Sequence, residues 1–150
     1  MNELQKLRDY NIELFRSDKL VNTITTLTDD LIDTNKDIIY PLVNIDYRSS
    51  TVQESVILAN YKIKILDQND IYTKTTDNKL LEDTNAQDIL NETFNICQSY
   101  INSFRQYNDS GIELSVVSVV TPIINKELNG LSGHEFDITL SIPNEGTSCL

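Results

Sequence analysis

The sequence predicts an α+β domain in which helices pack on one face of an antiparallel or mixed four-stranded sheet. Three observations favour this class: segments with helical spacing of apolar residues, paired segments that alternate apolar and polar residues, and a scarcity of turn-forming residues. With 150 residues, 4 Gly and 3 Pro, the chain has the size of one domain built from long elements. We therefore expect a single domain over residues 1–150 with the order α-β-β-α-β-β.

The first helix is expected over about residues 3–35. The β-branched stretch 23–28 loses rotamer freedom in a helix, so the segment is either two helical pieces or one kinked helix with a break near Arg16. This helix packs either on its own sheet or on a neighbouring subunit. Its two apolar stripes are Leu4, Leu7 and Leu14, then Ile24, Leu27 and Leu31.

A β-hairpin is expected over about residues 38–67, with a polar connection over residues 48–54. Strict alternation in its second strand predicts one buried face and one face in water. An acidic loop follows over residues 68–85. The expected buried face is Ile57, Ala59, Tyr61, Ile63 and Ile65, and the expected open face is Asn60, Lys62 and Lys64.

A second helix is expected over about residues 85–108, because one broad apolar stripe runs from Ile89 to Phe104. A long hairpin then covers about residues 112–142. A change of facing between Val116 and Val117 predicts a β-bulge in its first strand. The connection 122–133 is predicted to be a loop, and residues 143–150 a flexible tail.

Charge excludes a protein that grips DNA by its phosphates. The chain has 23 acidic and 12 basic residues, a formal net charge of −11, and no cluster of Lys and Arg of the kind that such proteins need. This acidity suits a conduit through which DNA slides without sticking, and it equally suits a protein that is simply kept soluble.

Catalytic chemistry has little support in the sequence, and we expect no enzyme and no cofactor. No nucleophile elbow, phosphate-binding loop or metal-ligand spacing occurs. The single histidine, His134, is expected to be a surface or hairpin residue, and the acidic runs are expected to be solvated surface. Cys97 and Cys149 form no disulfide framework. The start lacks a signal-peptide pattern and no window has the ~18 apolar residues of a membrane span, which predicts synthesis in the cytoplasm.

The remaining candidates are surfaces for contact with other proteins. Lys62 and Lys64 would project together as the only basic cluster of the predicted sheet. The apolar residues of the predicted 122–133 loop either meet a partner or fold back onto the sheet. The full set of candidate interface residues is Lys62, Lys64, Pro122, Ile123, Ile124, Leu128, Leu131 and Leu150.

The C-terminal hairpin resembles that of small bacteriophage neck and tail-terminator proteins, most closely those of crAss-like and related short-tailed phages. The residues that carry the resemblance are Thr121-Pro122, Leu131-x-Gly133, Asp137-Ile138-Thr139-Leu140, Pro143-Asn144 and Cys149. One departure concerns the position after Gly133, where His134 stands in place of a large aromatic residue.

This resemblance implies a structural virion protein that assembles into a closed ring of six or twelve copies. The long hairpin would reach the next subunit, and the Lys62 and Lys64 face would meet an acidic surface of a neighbour. The ring would dock on the portal or connector and on the tail, with DNA passing through it unbound. The acidic loop 67–83 would face either the channel or the outside. The protein would be made in the host cytoplasm and reside in the virion.

Two other functions fit parts of the sequence. A small acidic module that blocks a basic partner protein would suit the charge and size, with fast association steered by opposite charge. An enzyme that uses clustered carboxylates would require acidic residues from separate elements to converge in a cleft. Ring formation separates the first alternative from the virion protein.

Overall fold

The computed structural model describes residues 2–26, 39–68, 86–106, 110–126 and 130–145. These residues form an α+β fold with two helices and a six-stranded mixed sheet. The elements in chain order are α1 (Glu3–Arg16), β1 (Thr23–Thr25), β2 (Leu42–Val52), β3 (Val56–Gln68), α2 (Ala86–Ser103), β4 (Glu113–Val117), β5 (Thr121–Lys126) and β6 (Leu131–Pro143).

The sheet has the strand order β1-β2-β3-β6-β4, and β5 also pairs with β6. All pairings are antiparallel except that of β1 with β2. The described residues thus have the order α-β-β-β-α-β-β-β, with two strands more than the four predicted. The added strands are β1, at one edge, and β5, which lies in the segment predicted to be a loop.

The first helix is shorter than predicted. It begins at Asn2, whose Oδ1 accepts a hydrogen bond from the Gln5 amide at 2.8 Å, and it ends at Arg16. The chain then turns and forms β1, because the β-branched residues of this stretch favour an extended backbone. Thr25 Oγ1 donates to Asn44 Oδ1 at 2.9 Å and ties β1 to β2. The prediction of helix over residues 17–26 was therefore wrong; residues 27–38 lie outside the described part.

The hairpin of β2 and β3 extends further than predicted. Its strands reach Val52 and restart at Val56, so most of the predicted connection 48–54 is strand. The register shifts between Tyr47 and Ser49, where a bulge lets the twisted ladder continue. The long hairpin also has a bulge, between Leu114 and Val116, slightly earlier than predicted.

The main core lies between the two helices and one face of the sheet. The predicted buried face of β3 is confirmed, as all five of its side chains are buried. Phe15 of α1 stacks on Tyr100 of α2 with ring centroids 4.3 Å apart. The Tyr100 hydroxyl donates to Asn11 Oδ1 at 2.6 Å, which joins the two helices through a buried hydrogen bond.

The other face of the sheet is not uniformly open. A second buried cluster of Leu42, Leu66, Ile123 and Leu131 lies on it, with Tyr40 packed against its side. These residues alternate with core residues such as Val43 and Ile65, so they point to the opposite face. The expectation that this face would be entirely in water was wrong.

Candidate assembly surface

One edge of the sheet is formed by β4 and β5 together. Both strands pair with the same side of β6, β4 opposite Ile138 to Ser141 and β5 opposite Leu131 to Glu135. Within the described residues, nothing pairs with the outer side of these two strands. The edge is also apolar: Val116 is 59% exposed, Val119 81% and Ile124 59%. An unpaired apolar edge is a template for pairing with another chain.

Three residues, Ser118 to Val120, separate β4 from β5 along this edge. Ser118 donates its backbone N–H to Asp137 O at 2.9 Å, and its Oγ accepts from the Asp137 amide at 2.8 Å. Ser118 thus extends the pairing with β6 by one residue, and Val119, the next residue, is exposed. We call the segment Ser118–Val120 the β4–β5 corner.

Sequence reasoning found only part of this edge. Pro122 and Ile124 of the predicted interface lie exposed on β5, where an edge strand tolerates proline. Ile123 and Leu131 instead belong to the second buried cluster. Leu128 and Leu150 lie outside the described residues. The exposed Val116 of β4 and Val119 of the corner were not predicted as interface residues, because an apolar run is typical of a buried strand.

The lysines of the predicted basic cluster, Lys62 and Lys64, form ion pairs within the subunit. Lys62 Nζ and Lys64 Nζ each lie 3.8 Å from Glu135 Oε2. Lys64 is only 5% exposed. The strand register places Lys64 opposite Glu135 and Lys62 opposite Asp137, so the lysines of β3 meet the carboxylates of β6. These pairs replace the expected contact between the lysines and a neighbouring subunit.

His134 lies in β6 of the last hairpin and is buried, so of the two expected placements, surface or hairpin, the structure shows the hairpin. Its Nδ1 lies 2.9 Å from Thr93 Oγ1, and its ring meets Phe94 edge-on at 5.6 Å. The Thr93 hydroxyl donates to Ile89 O at 2.8 Å, so the imidazole N–H is the donor in the contact with Thr93. Burial lowers the pKa of His134. The residue therefore joins α2 to β6 as a neutral side chain.

Two carboxyl groups, those of Asp67 and Glu92, lie near each other. Burial raises the pKa of Asp67, on β3, although a hydrogen bond from the Gln68 amide opposes the change. Burial and then the charge of Asp67 raise the pKa of Glu92, on α2. A raised pKa in the folded state means that the charged carboxylates cost stability at neutral pH, and that this cost disappears as the pH falls through the raised pKa.

Asp67→Asn is therefore expected to stabilise the protein at pH 7 and to lose this advantage on acidification. Asparagine keeps the acceptor for the Gln68 amide, which Asp67 Oδ1 binds at 2.7 Å, and removes only the buried charge. Urea unfolding at pH 7 and pH 4 measures the effect. Glu54→Gln, in the exposed turn between β2 and β3, is the control for the change in net charge. Equal effects of the two substitutions would contradict this account.

An apolar cavity of about 460 Å³ opens between α1 and the β2–β3 hairpin. Leu4 and Arg8 line it from the helix, and Ile45, Tyr47 and Tyr61 line it from the strands. Tyr47 and Tyr61 meet edge-on with centroids 5.6 Å apart. Burial, and then the proximity of Tyr47, raise the pKa of Tyr61 to about 12, so its phenol stays protonated. The cavity offers an apolar partner a place to insert.

The described residues contain neither a cluster of metal ligands nor a membrane-spanning helix. No three His, Cys, Asp or Glu side chains among them gather as ligands of a metal ion would. Nor do the described segments include a helix with the length and apolar character needed to cross a membrane. The one described cysteine, Cys97, lies on the buried side of α2, and burial raises the pKa of its thiol to about 12.

In comparison with known proteins, the chain matches no family model and no curated sequence. The surface itself is therefore the basis for a functional proposal. Its two most distinctive features are the apolar β4–β5 edge and the apolar cavity.

Proposed function

We propose that this protein is a structural subunit that forms a closed homo-oligomeric ring in the neck or tail of a bacteriophage virion. The observation that carries the proposal is the exposed apolar edge of β4 and β5. No described residue covers this edge, and a second chain that packs on it would bury it. When one surface of a subunit meets a different surface of the next, the contacts close into a ring if the rotation allows.

The resemblance to neck and tail-terminator proteins supports the virion setting, because its residues build this edge and the strand behind it. Thr121-Pro122 begins β5. Asp137-Ile138-Thr139-Leu140 lies in β6, beside β4. Leu131 belongs to the second buried cluster, and Gly133 pairs with Leu66 and Ile123 of that cluster. The motif thus lies partly on the edge that we propose for assembly and partly in the buried strand that supports it.

The charge of the subunit supports a passive role towards DNA. A net charge of −11 per copy repels phosphates, so DNA would pass through the ring without specific binding. We propose that the two faces of the ring dock on the portal or connector and on the tail, in six or twelve copies. The function is assembly and not catalysis, and the protein is made in the host cytoplasm before it enters the virion.

Solution mass and particle shape test this proposal directly. We expect light scattering to show a mass that rises with protein concentration to a fixed multiple of 17.1 kDa, and negative-stain imaging to show closed rings. A strict monomer at every concentration, together with tight binding to a basic host protein, would instead identify the acidic inhibitor. Open fibres would show that the contact does not close.

A further inference from the structure

We infer that the cavity between α1 and the β2–β3 hairpin receives the β4–β5 corner of a neighbouring copy, with Val119 as the inserted side chain. This inference rests on the proposed ring and specifies its contact. The corner protrudes and is apolar, since Val119 is 81% exposed. The cavity is concave and apolar, with Leu4 and Tyr47 on its rim 39% and 45% exposed.

The two surfaces lie at opposite edges of one sheet, as a head-to-tail contact requires. β1 covers the outer side of β2 only as far as Asn44. Beyond Asn44, no described residue pairs with that side of β2, and the cavity lies there against Ile45 and Tyr47. The β4–β5 corner lies at the other end of the strand order, past β6. Each copy can therefore give its corner to one neighbour and its cavity to the other.

The size and chemistry of the two surfaces match. A cavity of about 460 Å³ has room for a valine side chain and the flanking backbone of the corner. Removing Val119 and the rim of Leu4 and Tyr47 from water is favourable in proportion to the apolar area that is buried.

Charge sets the orientation of the contact more than its strength. Arg8 lines the cavity and Arg48 directly follows Tyr47, whereas Glu113 of β4 and Asp137 of β6, which binds Ser118, are exposed. Both arginines already contact a carboxylate of their own chain, Arg8 with Asp9 at 3.3 Å and Arg48 with Asp46 at 3.0 Å. Exposed pairs of this kind are weak and exchange partners readily. The apolar insertion is therefore the main contribution.

Cross-linking between two single-cysteine variants tests the contact. In a Cys149→Ser background, where the buried Cys97 is protected, one population carries Val119→Cys and the other Leu4→Cys. Each alone should give little product with a short bismaleimide, and the mixture should give covalent dimers. Leu20→Cys replaces Leu4→Cys as the control, since Leu20 is similarly exposed at 41% but lies outside the cavity. We expect at least about tenfold more product than in the control mixture, because a specific contact raises the local thiol concentration.

The outcomes separate this inference from the proposed ring. If the wild-type chain forms rings but the Leu4→Cys mixture gives no more product than the control, the ring uses another contact and the inference is overturned. If Val119→Cys alone cross-links efficiently, two corners meet each other and the contact is symmetric, which also overturns it. If the wild-type chain remains a monomer at every concentration and binds a basic host protein tightly, both the proposed function and the inference are overturned.

Discussion

Gly133→Ala is expected to destabilise the folded protein by at least ~3 kcal/mol, at the upper end of the cost of overpacking a core. A Cβ atom at position 133 would lie 1.8 Å from Ile65 O and 2.8 Å from Ile65 C. These are backbone atoms of β3 in the centre of the sheet, so they cannot yield without breaking the β3–β6 pairing. Many domains of this size have only 5–15 kcal/mol of stability in total.

Urea unfolding followed by circular dichroism measures this effect. Gly111→Ala is the matched control, because it introduces the same methyl group where no atom must move: its Cβ would meet Pro143 Cδ at 3.5 Å, an ordinary van der Waals contact. Gly111 has φ +77°, so that control should cost only ~1 kcal/mol for the left-handed backbone. A Gly133→Ala protein as stable as the Gly111→Ala control would contradict the close approach of β3 and β6.

Periodicity predicted the elements whose side chains face the main core. The alternation of β3 and the helical stripe of α2 follow directly from which residues must leave water, and both predictions were confirmed. The extra strands β1 and β5 escaped prediction for a different reason. A three-residue strand such as Thr23–Thr25 has too few residues to show a period, and its pairing with Leu42 to Asn44 is a tertiary contact.

The candidate surface was predictable only in part, because burial on the second face depends on which strands are neighbours. Ile123 is buried since the register sets it beside Gly133 and near Leu66, which no local pattern reveals. Lys64 is paired since the same register sets it opposite Glu135. The exposure of Val116 and Val119 depends on the position of β4 at the end of the sheet. The order of strands that are distant in sequence thus decides which side chains are exposed, buried or paired. The local sequence pattern does not reveal that order.

Replacing Val116 and Ile124 with lysine is expected to abolish assembly without unfolding the subunit. Both side chains are 59% exposed, so the substitutions cost the isolated fold little. Each valine or isoleucine buried in a contact contributes ~1.5 kcal/mol, so the loss of both weakens each contact by about 100-fold. Lysine on an edge strand is also the device with which natural sheets avoid association.

Electrostatic repulsion cannot explain this expected loss, because two added lysines change the net charge from −11 to −9 and so reduce repulsion between copies. Leu20→Lys with Ile39→Lys supplies the matched control: it adds the same charge at two exposed apolar residues away from the edge. Light scattering on the two double variants at equal concentration gives the comparison. Rings that persist in the edge variant and dissociate in the control would contradict the role of the β4–β5 edge.

The most direct test of self-assembly is the mass of the wild-type protein by light scattering at low and at high NaCl. Copies that each carry −11 charges repel one another, and apolar contacts hold them together. Salt screens the repulsion and leaves the apolar contacts in place, so we predict that the assembled fraction rises with salt, with closed rings in the image of the same sample. A mass that stays at 17.1 kDa throughout, with a basic partner that binds at low salt and is released at high salt, would contradict the account.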